Sequence, residues 1–190
     1  MIGYALCGSF CTLEESFKQM ERLISQGYLI QPIMSETAYS TDTRFGCAES
    51  WRRRITDLCG REIIHTIPSA EPLGPKSPLE MLIIAPCTGN TLAKLSAGIT
   101  DSAVCMAAKA HLRTDRPLVI ALASNDAMSA NLKNIGMLLT RRSIYFVPVC
   151  QDDPIGKPHS LVADFKQIPL AVEQAMEGKQ LRPLFLNKSY

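Results

Sequence analysis

Little in the chain marks an exported, membrane-bound or nucleic-acid-binding protein. Of 190 residues one is tryptophan and 6% are aromatic. No apolar run approaches the roughly 20 residues that span a bilayer. The N-terminus enters a strand-like run directly, without the charged segment and cleavage site of an export signal. Neither sign of charge dominates: 20 Lys and Arg against 18 Asp and Glu leave a net +2. The one dense basic run, Arg52-Arg53-Arg54, reads as the solvated face of a helix whose apolar stripe is Trp51, Ile55, Leu58 and Cys59. No aromatic platform for bases accompanies it. The seven cysteines contain no CxxC pair, and Cys7 with Cys11 has neither a second pair nor histidines nearby. Structural zinc is thereby excluded, and reduced thiols in a cytoplasmic protein are expected. GxGxxG and the P-loop pattern are also absent, so neither common nucleotide fingerprint applies.

What is present is an alternation of strand-like and helix-like segments from end to end, the pattern of a single α/β domain with a Rossmann-like, doubly wound parallel sheet in a three-layer sandwich. Strands are expected at Ile2–Leu6, Tyr28–Met34, Ile63–Ile67, Met81–Ala85, Leu118–Ala123 and Ile144–Val149. Thr12 and Glu15 have capping-box spacing ahead of a helix whose stripe is Leu13, Phe17, Met20, Leu23 and Ile24, stopped by Gly27. Glu36–Arg44 reads as a polar loop, Cys47–Cys59 as a helix and Pro68–Pro78 as an irregular segment. Further helices are expected from Thr91, over Ser102–Leu112, over Asn131–Leu139 and over Pro169–Glu177. The domain is expected to span 1–178, and the tail 179–190 to be extended, its Leu181, Leu184, Phe185 and Leu186 docking on another surface. The tail and the Trp51 helix are candidate contact surfaces.

The informative junction is Pro86-Cys87-Thr88-Gly89-Asn90-Thr91, directly behind the apolar run Met81–Ala85. A buried strand leaving through small hydrogen-bonding residues into a helix points hydroxyls, an amide and free N–H groups at the carboxyl edge of the sheet, where open α/β sheets bind ligands and helix N-termini favour phosphate. Gly8-Ser9 closes the first strand and Ser35 the second, so three strand ends carry hydroxyls. Together they favour a phosphorylated cofactor over ordinary turn chemistry. The fourth strand ends in Ser124-Asn125-Asp126, with Asn131 further on. Asn125 leaves the strand first and is assigned to a ligand; Asp126 is a cap or a base, and capping is expected to account for one of the two. His65 stands among apolar neighbours, so a satisfied core histidine and a proton-transfer group weigh about equally. His111 and His159 read as surface positions. Lys94, Lys109 and Arg44 are the cations near enough in the pattern to serve an anionic substrate.

These residues carry a resemblance. Pro86–Thr91, continued by Leu92-Ala93-Lys94-Leu95 and Gly98-Ile99-Thr100-Asp101, is similar to the Pro-Ala-Ser-Ala-Asn-Thr motif of the homo-oligomeric flavin-containing cysteine decarboxylase superfamily. Ala121–Asn131 resembles that superfamily's second motif, with Leu122 and Ser124 in place of its Pro and Met and Asn125 retained. Within the superfamily the chain is most similar to the family of dipicolinate synthase B-type subunits, through Gly8-Ser9, Cys11-Thr12, Arg44-Phe45-Gly46, Ile64–Ile67, Ala70-Glu71-Pro72, Ala107-Ala108-Lys109, Ser124–Asp126 and Tyr145–Pro154. The resemblance implies an FMN-type flavoprotein and a homo-oligomer, trimeric or a multiple. It also implies a partner, the A-type subunit of dipicolinate synthase, which brings NADP. With this chain it would oxidise a dihydrodipicolinate to dipicolinate in the cytoplasm of a sporulating mother cell. By that pattern the flavin would be held by Gly8, Ser9, Ser35, Thr88, Asn90, Thr91 and Asn125. The dicarboxylate would meet Arg44 and Lys109, His65 would move the proton and Asp126 would be the reserve base. No metal is implied. The alternatives are flavin-dependent decarboxylation of a cysteine-derived carboxylate, against which the altered second motif argues, and a non-catalytic accessory role that supports the A-type partner.

Overall fold

Strand formation follows the apolar runs. In the computed structural model, which describes residues 1–187, β1 (Ile2–Leu6), β3 (Leu82–Thr88) and β4 (Leu118–Ser124) are the central strands, buried almost throughout. Around them in chain order come α1 (Leu13–Ser25), β2 (Ile30–Met34), α2 (Glu36–Ser40), α3 (Ala48–Cys59) and α4 (Ile67–Ala70). α5 (Gly89–Ala97) and α6 (Ala103–Leu112) join β3 to β4. α7 (Leu132–Leu139), β5 (Ile144–Phe146), β6 (Val149–Cys150), β7 (Leu161–Ala163) and α8 (Ile168–Met176) complete the fold.

The parallel part of the sheet runs β2-β1-β3-β4-β5. Strand order reverses between β1 and β3, and a ligand crevice is expected outside the carboxyl ends of those two strands. β4 has two neighbours on its far side: β5 along Leu118–Ile120, and β7, antiparallel, at Ala123–Ser124. β6 then pairs antiparallel with β7. The expected parallel, doubly wound sheet is therefore present, mostly parallel, with a short antiparallel margin. The single strand expected over Ile144–Val149 is broken into β5 and β6, because the chain turns after Phe146 to let β7 reach the end of β4.

Other local expectations give way to tertiary contacts. Thr12 caps no helix: it closes a 3-10 turn over Phe10–Thr12, and its hydroxyl donates to the Ser9 carbonyl at 2.9 Å and the Ser9 hydroxyl at 3.0 Å. Glu15, the other half of the expected capping box, pairs instead with Lys18. A capping box does form at Thr66 and Ser69. It starts α4 inside what reads as the strand Ile63–Ile67, of which only a single bridge, Ile64 to Ile33, remains. The Pro-rich segment holds the rest of α4 and a 3-10 turn over Glu71–Leu73. The loop expected at 36–44 begins with α2, because Ser35 accepts the Ala38 N–H and nucleates a turn of helix. α5 begins at Gly89, two residues before the expected Thr91.

Trp51 is 5% exposed and meets Phe17 edge-on at 6.1 Å, so the expected contact surface at its helix is already used inside the chain. His111, expected at the surface, is fully buried, because the last turn of α6 packs inward. The tail adds a rung to the sheet. Val149 N–H donates to Leu184 O, and Leu186 N–H to Val149 O. The Gln180 amide both accepts the Phe146 N–H and donates to the Phe146 carbonyl. The last three tail residues, 188–190, lie outside the described residues. Among the described residues no helix is long and apolar enough to cross a membrane.

Candidate functional site

A cavity of about 300 Å³ opens at the carboxyl ends of β1, β2 and β3, where the switch in strand order predicts one. Cys7 and Gly8 come from the end of β1, Ser35, Glu36 and Thr37 from the start of α2, and Thr88, Asn90, Thr91 and Lys94 from the start of α5. Asp101 and Ser102, ahead of α6, close the fourth side. Of the seven residues expected to hold a cofactor, five (Gly8, Ser35, Thr88, Asn90 and Thr91) therefore share one cavity.

Hydrogen bonding decides which groups face a ligand. Thr88 accepts the Thr91 N–H at 3.2 Å and gives its own proton to the Thr91 hydroxyl at 3.2 Å. Thr91 in turn donates to the Cys7 sulfur at 3.3 Å. Both threonine protons are thus spent inside the chain, that of Thr88 on Thr91 and that of Thr91 on a neutral thiol whose pKa burial pushes up to about 12. The donors left for an anion are the Gly89 and Asn90 amides at the start of α5, which a helix leaves without internal partners, the Asn90 side chain and the Ser35 hydroxyl. Ser35 accepts from Ala38 N–H and keeps its own proton to give. Lys94 lies at the rim with its ammonium 2.9 Å from both carboxylate oxygens of Asp101. A Cβ at Gly8 would come within 3.1 Å of Thr37 Cγ2, so the end of β1 approaches α2 as closely as a glycine allows. These features suit a phosphate monoester: amide and hydroxyl donors at a helix N-terminus.

The other expected residues lie elsewhere. Ser9 adjoins Gly8 but has its hydroxyl turned toward Thr12. Asn125 is exposed in the turn after β4 and outside the cavity lining. Asp126 caps nothing, and neither does Asn125; the N-cap of α7 is Asn131, without a side-chain cap bond. The Asp126 carboxylate accepts from the Ser124 hydroxyl and, at 2.9 Å, from Asn131, and the Ser124 bond above all holds its pKa below the ordinary carboxylate range. Asn134 extends this chain to Asn131 Oδ1 at 2.9 Å, and Ser96 to Asn134 Oδ1 at 2.8 Å. The chain ties the β4 turn to α5 and braces the cavity from behind.

His65 opens on a different pocket, bounded by Tyr39, Arg52 and Asp57. Its ring stacks on Tyr39 with centroids 3.8 Å apart and planes 2° apart, and Arg52 covers the other part of that assembly, 4.7 Å from the Tyr39 centroid. Arg44 lies over Phe45 in the loop after α2. Lys109 lines a third pocket, between α5 and α6. Sequence reasoning missed Thr37, Asp101 and Ser102 as cavity walls. The Ser102 signal was legible as a cap, since its hydroxyl accepts the Cys105 N–H, but nothing in the spacing brings it across to Ser35.

Known proteins share this fold. The family model described as Flavoprotein matches residues 1–168. The B-type subunit of dipicolinate synthase from Bacillus subtilis (strain 168) is 44% identical over 185 residues, 97% of this chain and 92% of that protein. The crystal structure of its counterpart, the dipicolinate synthase B-type subunit from Bacillus halodurans C, superposes with a TM-score of 0.91 at 41% identity, covering 99% of this chain and 96% of that one. An FMN-dependent cysteine decarboxylase, SpaF, shares the fold with a TM-score of 0.66 at 22% identity, over 92% of this chain and 95% of its own.

Proposed function

Because this chain belongs to the flavoprotein family, as the match over residues 1–168 establishes, we propose that it is the B-type subunit of a dipicolinate synthase. In this reading it binds FMN in the cavity at the β1–β3 switch point and acts with an A-type partner that brings NADP. Together they oxidise a dihydrodipicolinate to dipicolinate in the cytoplasm of a sporulating cell. The observation that carries the reading is the convergence of Gly8, Ser35, Thr88, Asn90 and Thr91 on one cavity in a chain similar over almost its full length to a dipicolinate synthase B-type subunit.

Aromatising the dihydropyridine ring removes one hydride and one proton. Bound FMN would supply a two-electron acceptor at this site. The first turn of α5 and the Ser35 hydroxyl would hold the cofactor phosphate; Lys94, fixed by Asp101, keeps a cation at the rim. Asn125, exposed beside the brace, would meet a flavin edge or a carboxylate presented from outside the chain. His65 takes the proton only if another chain carries it to the cavity, since within one chain it opens on a separate pocket. A homo-oligomer in which neighbours complete each other's sites satisfies that requirement.

The test is a visible absorption spectrum of the purified protein before and after FMN addition and desalting, followed by turnover with the A-type partner, NADP and dihydrodipicolinate. Retained flavin absorbance and dipicolinate formation, with turnover lost in His65→Ala, support the reading. Flavin-free protein that still stimulates the A-type partner would replace it with the accessory role. Release of CO2 from a cysteine-derived carboxylate would replace it with decarboxylation.

A further inference from the structure

Three elements converge on His65. A parallel bridge seats its segment beside β2: Ile64 N–H donates to Pro32 O at 3.0 Å, and Met34 N–H to Ile64 O at 2.9 Å. Tyr39 lies on α2, the helix that follows β2, and its N–H donates to Ser35 O at 2.9 Å. Arg52 comes from α3 and donates through Nη1 to the Tyr39 carbonyl. The side chains form layers. The His65 ring lies parallel to the Tyr39 ring within 2° at 3.8 Å, and the Arg52 guanidinium lies over the same tyrosine ring, 4.7 Å from its centroid.

One hydrogen bond assigns the histidine tautomer. His65 Nδ1 stands 3.2 Å from the Ile63 carbonyl oxygen. A carbonyl only accepts, so Nδ1 carries the proton, and in the neutral imidazole Nε2 keeps its lone pair. Among the described residues Nε2 has no hydrogen-bond partner, and unlike His111 Nδ1 it is not shut away from solvent. The ring lines the open pocket that it shares with Tyr39 and Arg52. One nitrogen spent on the backbone and the other bare and accessible is the arrangement a general base needs. A single N–H···O bond still lets a ring pivot about its line. The parallel tyrosine face fixes the plane, and Tyr39 is itself held by Ser35 and Arg52. A base oriented in advance has less freedom to lose in the reacting geometry.

We propose that Tyr39 is a positioning residue, holding His65 with Nε2 as its proton-accepting atom. The use made of that atom rests on the proton transfer proposed above; the tautomer and the stack do not. In that step the dihydropyridine gives a hydride to the two-electron acceptor and a proton to the Nε2 lone pair. An imidazolium results, its Nδ1–H still on the Ile63 carbonyl, and Tyr39 exchanges no proton.

The test reads His65 by long-range proton–nitrogen NMR in the isotope-labelled full-length protein at about pH 8.5, where an ordinary imidazole is neutral. His65→Ala identifies its signals. Nδ1 is expected at the shift of a protonated nitrogen and Nε2 at that of a bare one. Tyr39→Leu keeps a good helix former but no aromatic face. It is expected to draw the two shifts together and to lower kcat about tenfold with the A-type partner, NADP and dihydrodipicolinate, leaving KM and flavin retention unchanged. Tyr39→Phe keeps the ring and is expected to restore both readings. Arg52→Gln uncovers the tyrosine ring without touching His65 and is expected to move the shifts the same way, which serves if Tyr39→Leu does not fold. The positioning role is overturned by a bare Nδ1 in the parent, by shifts that Tyr39→Leu and Arg52→Gln leave in place, or by Tyr39→Phe as impaired as Tyr39→Leu. Turnover that survives His65→Ala, with the shifts as expected, would sink the proton-transfer reading and leave the stack standing. Turnover lost in His65→Ala, with the shifts otherwise, would do the reverse.

Discussion

A methyl group at position 89 has nowhere to go. An added Cβ would lie 2.6 Å from Ser124 Oγ, 2.7 Å from Asn131 Nδ2 and 2.8 Å from Asp126 Oδ1, all members of one hydrogen-bonded cluster. Alanine improves helix propensity by up to about 1 kcal/mol, but crowding a packed site costs about 1–3 kcal/mol, so crowding wins. Gly89→Ala is expected to lower unfolding free energy in urea and to weaken flavin retention together; unchanged stability would show that the brace yields. His111 makes a second residue-scale case. Its Nε2 hydrogen-bonds to the Pro117 carbonyl at 2.9 Å while Nδ1 is buried without a partner, and burial pushes its pKa below the ordinary histidine value. The unfolded chain therefore takes up this proton first as pH falls below about 6.5, and the stability contributed by neutral His111 is present above that pH and lost below it. Urea midpoints are expected to drop between about pH 7.5 and 5, by less in His111→Gln than in the parent; equal drops would rule His111 out as a cause.

The helix starts that line the β1–β3 cavity are built the same way, with Ser35 capping α2 and Thr88 capping α5. Removing such a cap costs about 1 kcal/mol. Thr88→Ala is expected to destabilise by about that amount and to strip the Thr91 N–H of its acceptor and the Thr91 hydroxyl of its donor, loosening flavin; Thr88→Ser keeps the cap oxygen and recovers both. A thermal melt with a flavin-retention assay on the two variants separates cap loss from a general effect of substitution. Much of this element was legible. The apolar run and the resumed helical spacing placed β3 and α5, but the expected turn over Pro86–Thr91 is absorbed by them: β3 runs three residues further, to Thr88, and α5 starts two residues earlier, at Gly89. Less legible were elements whose signals compete. Ile63–Ile67 is as β-branched as a strand, yet Thr66 and Pro68 favour a helix start, and only the packed structure shows the helix winning. The Thr12–Glu15 spacing fitted a capping box, but Ser9 captured the threonine hydroxyl. Thr37, Asp101 and Ser102 reach the cavity through tertiary folding alone, which no local pattern encodes.

Across the whole molecule, the tail matters more than its length suggests. Leu184 and Leu186 bond to β6, and the Gln180 side chain clips both polar groups of Phe146 on β5. Ending the chain after Lys179 removes these bonds and bares a sheet edge, an invitation to pairing between chains. The shortened protein is expected to melt at least about 5 °C lower and to scatter light as concentration rises; an unchanged melt would show that the tail only decorates the sheet.

The close approach at Gly89 also bears on anyone who would move this site into another scaffold. The six residues Pro86–Thr91 look like a portable cassette, but their helix start rests against Ser124, Asp126 and Asn131, more than thirty positions later. The smallest transplantable part is two segments held at a fixed spacing. A recipient fold that offers the loop without its counterpart inherits the letters of the motif and loses its shape.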